Sequence, residues 1–316
     1  MKKLLALLLC AMMVFSLSAC SSTGKFTVDT VTVTYVQSPL NVPSILEKAE
    51  GSLAKTYEEM GLKFAYSDLT SGADQTAALA SGDIQILNAV GGTSVILAAA
   101  NDLDIKIISM YSRSPEAFML FSNDESLTTP ESLAGKTIAG PKGTNLHELL
   151  VAYLATAGMT IEDVDYVSMD IPSAQAALEG GSVDCALMAG PTAYNAIKSG
   201  KHLVTNGDGL IAATILTATS QKFYDENTAI IDAFVENQKK ILTYMQENGD
   251  EALATVAEAL DMDVEAVREM YAMYDFSMEI SDQDLENLQA TEEFLYNAGM
   301  IENHVDVTTL LLEEKK

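Results

Sequence analysis

Two stretches of the sequence repeat each other and decide the fold. The first reads Ala77-Ala78-Leu79-Ala80-Ser81-Gly82-Asp83-Ile84 and leads into Gly91-Gly92-Thr93. The second, 99 residues later and without a gap, reads Ala176-Ala177-Leu178-Glu179-Gly180-Gly181-Ser182-Val183 and leads into Gly190-Pro191-Thr192. Each copy has the pattern of a helix, a glycine-containing turn, a buried strand and a Gly-x-Thr bend that opens the next helix. The repeat predicts a pseudo-duplicated pair of α/β lobes. Chance similarity between two βα units is the alternative.

The pattern around the repeat supports an α/β fold. Ten short strand-like segments, beginning with the alternating Thr, Tyr and Val of residues 30–37, are separated mostly by helical stretches up to residue 218. One of these stretches, residues 43–60, has continuous helical periodicity. From residue 228 onward the pattern is almost wholly helical. Strands that alternate with helices indicate parallel sheets covered by helices on both faces.

Composition and charge exclude several classes of protein. The 316 residues carry 45 Asp and Glu against 18 Lys and Arg, a net charge of -27. A field of this sign repels phosphate backbones, so we expect no nucleic-acid partner. Hydrophobic residues make up 48% of the chain and charged residues 20%, which is typical of a folded globular protein, and the length suits two domains.

The N-terminus has the order of a secretory signal. Lys2 and Lys3 precede an apolar run through Phe15, and small residues follow. The apolar run is shorter than the ~20 residues that a permanent membrane-spanning helix needs. We therefore expect residues 1–19 to be a signal peptide that is removed.

The end of the signal is similar to a bacterial lipobox. Leu17-Ser18-Ala19-Cys20 implies cleavage before Cys20 and a lipid on its thiol, followed by a tether over residues 20–28. A plain signal peptide with an accidental cysteine is the alternative. We expect a protein on the outer face of the cell membrane of a single-membrane bacterium, held there by the lipid alone.

Glycine-containing bends are the candidate ligand sites. Gly143-Thr144-Asn145 follows a predicted strand and opens a helix, so free backbone N-H groups and the positive end of a helix dipole meet there. Simple capping of that helix by Thr144 or Asn145 is the alternative. The bends at Gly91-Gly92-Thr93-Ser94 and at Gly190-Pro191-Thr192 offer similar geometry. Ligands of open α/β sheets bind beyond the carboxyl ends of the strands, so two facing lobes would bring both bends into one cleft.

Arg113 is one of two arginines in the chain. It lies between two predicted strands, and a guanidinium there is a candidate clamp for a carboxylate, sulfonate or phosphate. A solvated loop arginine is the alternative.

The sequence contains no recognisable catalytic or metal-binding constellation. The three histidines are far apart, and neither His-x3-His nor Cys-x2-Cys spacing occurs. A nucleophile elbow and a Walker loop are also missing from the sequence. We expect no enzymatic activity, no cofactor and no metal. Cys185, the one cysteine left after processing and acylation, is expected to be a buried small residue, and a reactive thiol is the alternative.

Several segments together resemble the nitrate/sulfonate/taurine-type substrate-binding proteins of ABC transporters. Residues 72–95 are similar to the signature region of this family. Further similarity lies in Ser132-Leu133-Ala134-Gly135-Lys136-Thr137-Ile138-Ala139, in Lys142-Gly143-Thr144, in Ala157-Gly158-Met159 and in residues 176–189. The lipobox, the repeat and the helical C-terminal part agree with the resemblance.

The resemblance implies a type II periplasmic-binding-protein clamshell, with a mostly parallel, helix-flanked sheet in each lobe. Lobe 1 would comprise residues 29–115 and 215–316, and lobe 2 residues 116–214. Two crossing strands, near residues 115–117 and 211–214, would form the hinge.

The resemblance also implies a ligand site in the cleft. Family members often carry aromatic residues, commonly tryptophan, where this chain has Met188-Ala189-Gly190-Pro191. The difference implies either a different or bulkier solute or stacking from Tyr35, Tyr111 or Tyr194 instead. Together with Arg113, the predicted ligand-binding residues are Gln37, Ser38, Pro39, Ser71, Gly91, Gly92, Thr93, Ser94, Gly143, Thr144, Asn145, Gly190, Pro191 and Thr192.

The resulting expectation is a monomeric, extracytoplasmic solute-binding lipoprotein that delivers a small organic solute to an ABC permease. A sulfonate, a nitrate-like anion and a pyrimidine or vitamin precursor are all candidate solutes. Two alternatives stay open, an enzyme similar to thiamine-pyrimidine synthases and a surface lipoprotein that senses its ligand without transport.

Overall fold

The computed structural model describes residues 26–313. The expected signal 1–19 and Cys20 lie outside those residues, as does most of the tether 20–28. The described strands are β1 (Thr30–Thr34), β2 (Lys63–Ser67), β3 (Leu87–Gly91), β4 (Lys106–Arg113), β5 (Phe118–Ser122), β6 (Thr137–Gly140), β7 (Asp165–Ser168), β8 (Cys185–Ala189), β9 (His202–Asn206) and β10 (Thr214–Thr219).

Helices separate most of these strands and form the C-terminal part of the described chain. They are α1 (Val42–Glu50), α2 (Ser52–Glu59), α3 (Gly72–Ser81), α4 (Gly92–Ala100), α5 (Asn145–Ala155), α6 (Ile171–Glu179), α7 (Pro191–Lys198), α8 (Gln221–Glu247), α9 (Gly249–Leu260), α10 (Val264–Tyr271) and α11 (Asp282–Asn297). Short 3-10 helices lie at Pro115–Ala117, Pro130–Leu133, Ile161–Asp163 and Val307–Leu310.

The prediction of one helix over residues 43–60 is wrong. The structure has α1 and α2 there, separated by Gly51 with a φ of 63°. Glycine adopts this left-handed conformation without steric cost, and its N-H bonds the Glu47 carbonyl at 2.9 Å to close α1. The apolar spacing continues across the break because both helices bury their apolar side chains.

The strands form two groups. In the first, β1 pairs in parallel with β2, and a bridge between Val33 and Ile86 joins β1 to the segment that enters β3. A three-stranded sheet with the order β3-β10-β4 completes this group, and β10 runs antiparallel to both neighbours. The second group is a five-stranded sheet with the order β7-β6-β8-β5-β9, in which β6 is parallel to β7 and β8 while β5 is antiparallel to β8 and β9.

The antiparallel strands mark where the chain crosses between the two groups. The chain leaves β4 and enters β5 through residues 114–117, and it returns from β9 to β10 through residues 207–213. Each crossing delivers a strand that runs against its neighbours, and every other pairing of full strands is parallel. The two-lobe α/β fold class is confirmed, and we propose that the lobes divide at these two connections.

The largest cluster of buried apolar side chains contains residues from both groups. Leu40 and Ile45 pack in the same cluster as Leu120 and Leu187 of the five-stranded sheet, and α9 and α10 extend it. Cys185 lies within it at 0% exposure, and burial raises the pKa of its thiol to about 12. The thiol therefore stays protonated at pH 7, which agrees with the expected role of Cys185 as a buried small residue and not with a reactive thiol.

Arg113 joins the end of β4 to the start of α11. Its Nε and Nη2 each donate to an oxygen of Asp284 at 2.6 Å, and its remaining donors bond Ser277 and the Glu279 carbonyl. Asp284 is 1% exposed. Burial alone would raise the pKa of Asp284, but hydrogen bonds from Arg113 and Ser281 outweigh it and hold the pKa at about 2. The pair therefore anchors the strand that leads into the first crossing.

We predict that Asp284→Asn lowers the free energy of unfolding by about 3 kcal/mol, because it leaves the partly buried guanidinium of Arg113 without its buried charge partner. The matched control is Asp275→Asn, on the opposite side of Arg113, where the carboxylate is 3.4 Å away and its side chain is 58% exposed. The control should change the free energy of unfolding by less than about 1 kcal/mol. Urea denaturation at pH 7 measures both, and equal losses in the two variants would contradict the assignment.

The same pair predicts an acid-sensitive contribution to stability. Because the folded-state pKa of Asp284 is lower than its ordinary value of 3.8, the contribution is complete above pH 4 and is lost as the pH falls toward about 2. Denaturation profiles from pH 6 to pH 2 should converge for the wild type and Asp284→Asn. Profiles that stay parallel over that range would rule the contribution out.

Candidate functional site

A cavity of about 620 Å³ lies between the two groups of strands. Most of its lining comes from the ends of β1, β2, β3, β6, β7 and β8 and the segments that follow them, so it lies beyond the carboxyl ends of these strands, while Phe118, Ile215 and Leu260 complete the wall. The lining residues are Val36, Gln37, Ser38, Pro39, Asn41, Thr70, Ser71, Gly72, Gln75, Ala89, Gly91, Ser94, Phe118, Pro141, Lys142, Thr144, Asn145, Leu146, Ser168, Met169, Asp170, Ile171, Pro172, Pro191, Thr192, Ile215 and Leu260.

Six helices begin at the wall of this cavity. Ser71 and Asp170 cap α3 and α6 with their own side chains, which accept from the N-H groups of Asp74 and Ser173. The first turns of α1, α4, α5 and α7 have no side-chain cap. The first N-H groups of a helix have no acceptor inside the helix, and the helix dipole makes that end electropositive. The cavity is therefore supplied with main-chain donors for an anion.

Two ionisable side chains lie on the cavity wall within residues 26–313, namely Lys142 and Asp170. Both residues are exposed. Hydrogen bonds from the Ser173 side chain and backbone lower the pKa of Asp170, so its carboxylate is charged and is used to cap α6. The main-chain donors and Lys142 therefore provide the positive potential inside a strongly acidic protein.

Ten of the predicted ligand-binding residues line the cavity. They come from the loop after β1, from the start of α3 and from three Gly-containing bends, two of which belong to the sequence repeat. These residues are Gln37, Ser38, Pro39, Ser71, Gly91, Ser94, Thr144, Asn145, Pro191 and Thr192. The structure thus brings both copies of the repeated bend to one cavity.

The prediction that Arg113 binds the ligand is wrong. It does not line the cavity, and its guanidinium bonds Asp284, Ser277 and Glu279 instead. All three of its nitrogens have protein acceptors within residues 26–313. Arg113 therefore anchors the end of β4 before the first crossing, and its guanidinium is not available to a ligand in the cavity.

Gly92 and Gly190 lie behind the cavity wall and have packing roles. A Cβ on Gly92 would come 2.5 Å from Thr214 Oγ1. Gly190 has a φ of 59°, and a Cβ there would come 2.8 Å from Pro39 Cα. Gly92 therefore lets α4 pack closely on β10 within the first group, and Gly190 lets the two groups approach where the first-strand loop meets α7.

Thr93 and Gly143 face the opposite group of strands instead of the cavity. The Gly143 carbonyl accepts a hydrogen bond of 3.1 Å from Ser94 Oγ. Thr93 Oγ1 lies 2.8 Å from Asn145 Oδ1 and 2.7 Å from Glu148 Oε2. The bends after β3 and β6 therefore bond each other directly.

The predicted aromatic alternatives are also corrected. Tyr111 is buried in the core, Tyr35 lies under Lys48 with the ammonium 3.6 Å from its ring centre, and neither Tyr35, Tyr111 nor Tyr194 lines the cavity. Phe118 is the aromatic residue of the cavity wall in the part of the chain that the structure describes. Stacking there can come from Phe118, which follows the first crossing.

The sequence analysis missed the loop at residues 168–172 and Glu148. The loop lines the cavity and follows β7, so the rule about carboxyl ends of strands was the available signal. Glu148 lies one turn into α5 and is 6% exposed. Nothing in its sequence context distinguishes it from the many other acids of this chain.

Within residues 26–313, no cluster of three or more His, Cys, Asp or Glu side chains is arranged to hold a metal ion. Over the same residues, no helix combines the length and the apolar character needed to cross a membrane.

Comparison with known proteins identifies relatives for most of the chain. A protein of Bacillus subtilis (strain 168) named "Putative aliphatic sulfonates-binding protein" is 25% identical over 269 residues, which are 84% of this chain and 81% of that protein. The taurine-binding periplasmic protein of Escherichia coli (strain K12) is 28% identical over 218 residues, covering 67% of this chain and 66% of that protein. These relatives are binding proteins and not enzymes, as expected for this chain.

A solved structure with the same fold is the alkanesulfonate-binding protein SsuA from Xanthomonas axonopodis pv. citri bound to MOPS. It superposes with a TM-score of 0.81 at 20% identity over 91% of this chain and 99% of that one. The profile of the family described as NMT1/THI5 like matches residues 56–252, more than half of the chain. The chain therefore belongs to the NMT1/THI5-like family and has the fold of a periplasmic binding protein.

Proposed function

We propose that this protein is the extracytoplasmic solute-binding component of an ABC importer and that its solute is a small organic sulfonate. The observation that carries the proposal is the cavity of about 620 Å³, at whose wall three helices without a side-chain cap, α4, α5 and α7, begin. The names of the relatives, which bind aliphatic sulfonates and taurine, support the same class of solute.

The chemistry of a sulfonate suits donors of this kind. Its three oxygens accept several hydrogen bonds at once, and they are matched by N-H groups that arrive from different directions. Main-chain donors at helix N-termini bind anions without the cost of immobilising a long cationic side chain. The wall near Phe118, Met169, Ile171 and Ile215 is apolar and suits the organic part of the solute.

Transport requires that the loaded protein differ in shape from the empty one. Ligand that contacts both groups of strands favours the conformation in which they approach, and the connections at residues 114–117 and 207–213 are the available hinge. A permease that recognises the closed form would then receive the solute. We propose that the protein acts as a monomer in this cycle.

We predict that Thr144→Asp abolishes sulfonate binding while Thr144→Asn retains it. Thr144 is the N-cap residue of α5, but its side chain makes no capping hydrogen bond, and it lines the cavity. Aspartate and asparagine are equally good N-caps and nearly isosteric, so the pair isolates the negative charge. A carboxylate at this position repels the anion, so affinity should fall by on the order of 100-fold or more, while asparagine should cost less than about tenfold.

Isothermal titration calorimetry with taurine and with ethanesulfonate measures these affinities, and thermal unfolding checks that neither variant is destabilised. Equal affinities in the two variants would refute the role of the α5 N-terminus. Binding of a neutral pyrimidine in place of both sulfonates would refute the solute class and leave the receptor role standing.

We also propose that the mature protein is a lipoprotein anchored through Cys20 to the outer face of the membrane. The support is Leu17-Ser18-Ala19-Cys20 at the end of a signal-like segment. A stably anchored protein stays close to its permease, which raises the effective concentration of the delivered solute.

We predict that Cys20→Ala abolishes incorporation of labelled fatty acid and releases the protein from washed membranes. Cys185→Ala is the matched control, because that thiol is buried and should leave labelling unchanged. Metabolic labelling followed by membrane fractionation measures both, and undiminished labelling of Cys20→Ala would contradict the proposal.

A further inference from the structure

A buried row of polar side chains joins the two groups of strands beside the cavity. It consists of Asn145 and Glu148 on α5, which follows the five-stranded sheet, and of Thr93 on α4 and Thr291 on α11, which pack with the three-stranded sheet. All four residues are buried, at 3%, 6%, 1% and 4% exposure. Glu148 thus places a carboxyl group from one lobe between two hydroxyl groups of the other.

The distances in this row allow its protons to be counted. Three short oxygen-oxygen contacts occur, from Thr93 Oγ1 to Asn145 Oδ1 at 2.8 Å, from Thr93 Oγ1 to Glu148 Oε2 at 2.7 Å and from Thr291 Oγ1 to Glu148 Oε1 at 2.9 Å. Each contact needs one proton, because two oxygen lone pairs at such distances repel each other. Each threonine supplies a single proton.

Asn145 does not supply the third proton. Its Nδ2 donates to the Thr214 carbonyl at 3.3 Å, so the atom that faces Thr93 is the amide oxygen. The missing proton must therefore reside on Glu148, which then donates from Oε2 to Thr93. Thr93 in turn donates to Asn145, and Thr291 donates to the other oxygen of Glu148.

Within residues 26–313, no neighbouring charge stabilises the ionised form of Glu148. Helix α4 and strand β10 carry no ionisable residue. On its own helix, His147 stacks on Tyr166, and burial lowers the pKa of His147 to about 4, so the imidazole is neutral at pH 7.

The remaining ionisable residues of the packing elements either have other partners or are exposed, as Asp282, Glu286 and Glu293 of α11 are. Among the described residues of α11 and β4, Glu292 accepts from the Val305 N-H and contacts His304, while Asp284 and Arg113 bond each other. Burial raises the pKa of Glu148, although the hydrogen-bonding contacts with Thr93 and Thr291 lower it in part. The direction of this pKa shift agrees with the proton count.

We propose that Glu148 carries a proton when the two lobes are closed and releases it when they open, so that closure on the solute takes up one proton. The part that concerns the solute rests on the proposed function, whereas the proton count rests on the fold alone. In the open form the carboxyl faces water, where a proton is lost above its ordinary pKa of 4.5. Rising pH therefore favours the open form, and falling pH favours capture.

Glu148→Gln provides a sharp test because an amide reproduces the protonated acid. Its N-H donates to Thr93 and its oxygen accepts from Thr291, but it cannot ionise. Small-angle X-ray scattering of the ligand-free protein from pH 5 to pH 8 should show expansion of the wild type with rising pH and no such change in Glu148→Gln. Glu125→Gln, at an exposed carboxylate, is the matched control and should follow the wild type. Superimposable profiles for the wild type and Glu148→Gln would overturn the proposal.

Calorimetry with ethanesulfonate, which does not titrate between pH 5 and pH 8, adds a second readout. Where the open form is ionised and the closed form is protonated, wild-type affinity should fall about tenfold per pH unit, and buffers of different ionisation enthalpy should report uptake of one proton. Glu148→Gln should show neither effect. Binding without proton uptake in the wild type overturns the proposal while the proposed function stands. Failure of ethanesulfonate to bind bears on the solute alone, because the scattering experiment is independent of it.

Discussion

The antiparallel pairing of β10 with β3 and β4 is the constraint on which the architecture depends. The chain leaves this sheet at Arg113, builds the second sheet, and returns at Thr214, which lies opposite Arg113 in the register. Both crossings are thereby held side by side, and the segments that line the cavity lie beyond the carboxyl ends of strands from both groups. The cavity, the proposed hinge and the contacts across the cleft all depend on the chain leaving the three-stranded sheet and returning to it at neighbouring positions.

The second constraint is electrostatic. A chain of charge -27 has few cationic side chains to offer an anion. Helix N-termini solve this problem because their positive potential comes from the backbone and acts only over the first turn. The exterior can stay acidic while the interior of the cleft accepts negative charge. Burial strengthens the effect, because water competes less for the same donors.

Much of this could be predicted from the sequence, since the features involved are local. The alternation of strands with helices predicted all ten strands of the described chain. With the repeated Gly-x-Thr bend and the family resemblance, it also led to fifteen candidate ligand-binding residues, of which ten line the cavity. Three-dimensional partnerships could not be predicted in this way. Arg113 looked available because Asp284 is 171 residues away. Glu148 was one acid among many, because its distinguishing partners Thr93 and Thr291 are remote in sequence. The break at Gly51 was hidden because the apolar spacing continues through it.

The proposed anion site is built from main-chain N-H groups, and this choice of donor has a consequence for how such proteins diverge. A backbone donor persists whatever side chain the residue bears, provided that the helix still begins at the same place. Mutations can therefore accumulate around the site without removing its donors, and only changes that shift a helix start or fill the cleft are strongly selected against. New solute preferences are then most readily acquired through the side chains of the loops, such as residues 168–172, while the inherited anion-binding framework is kept.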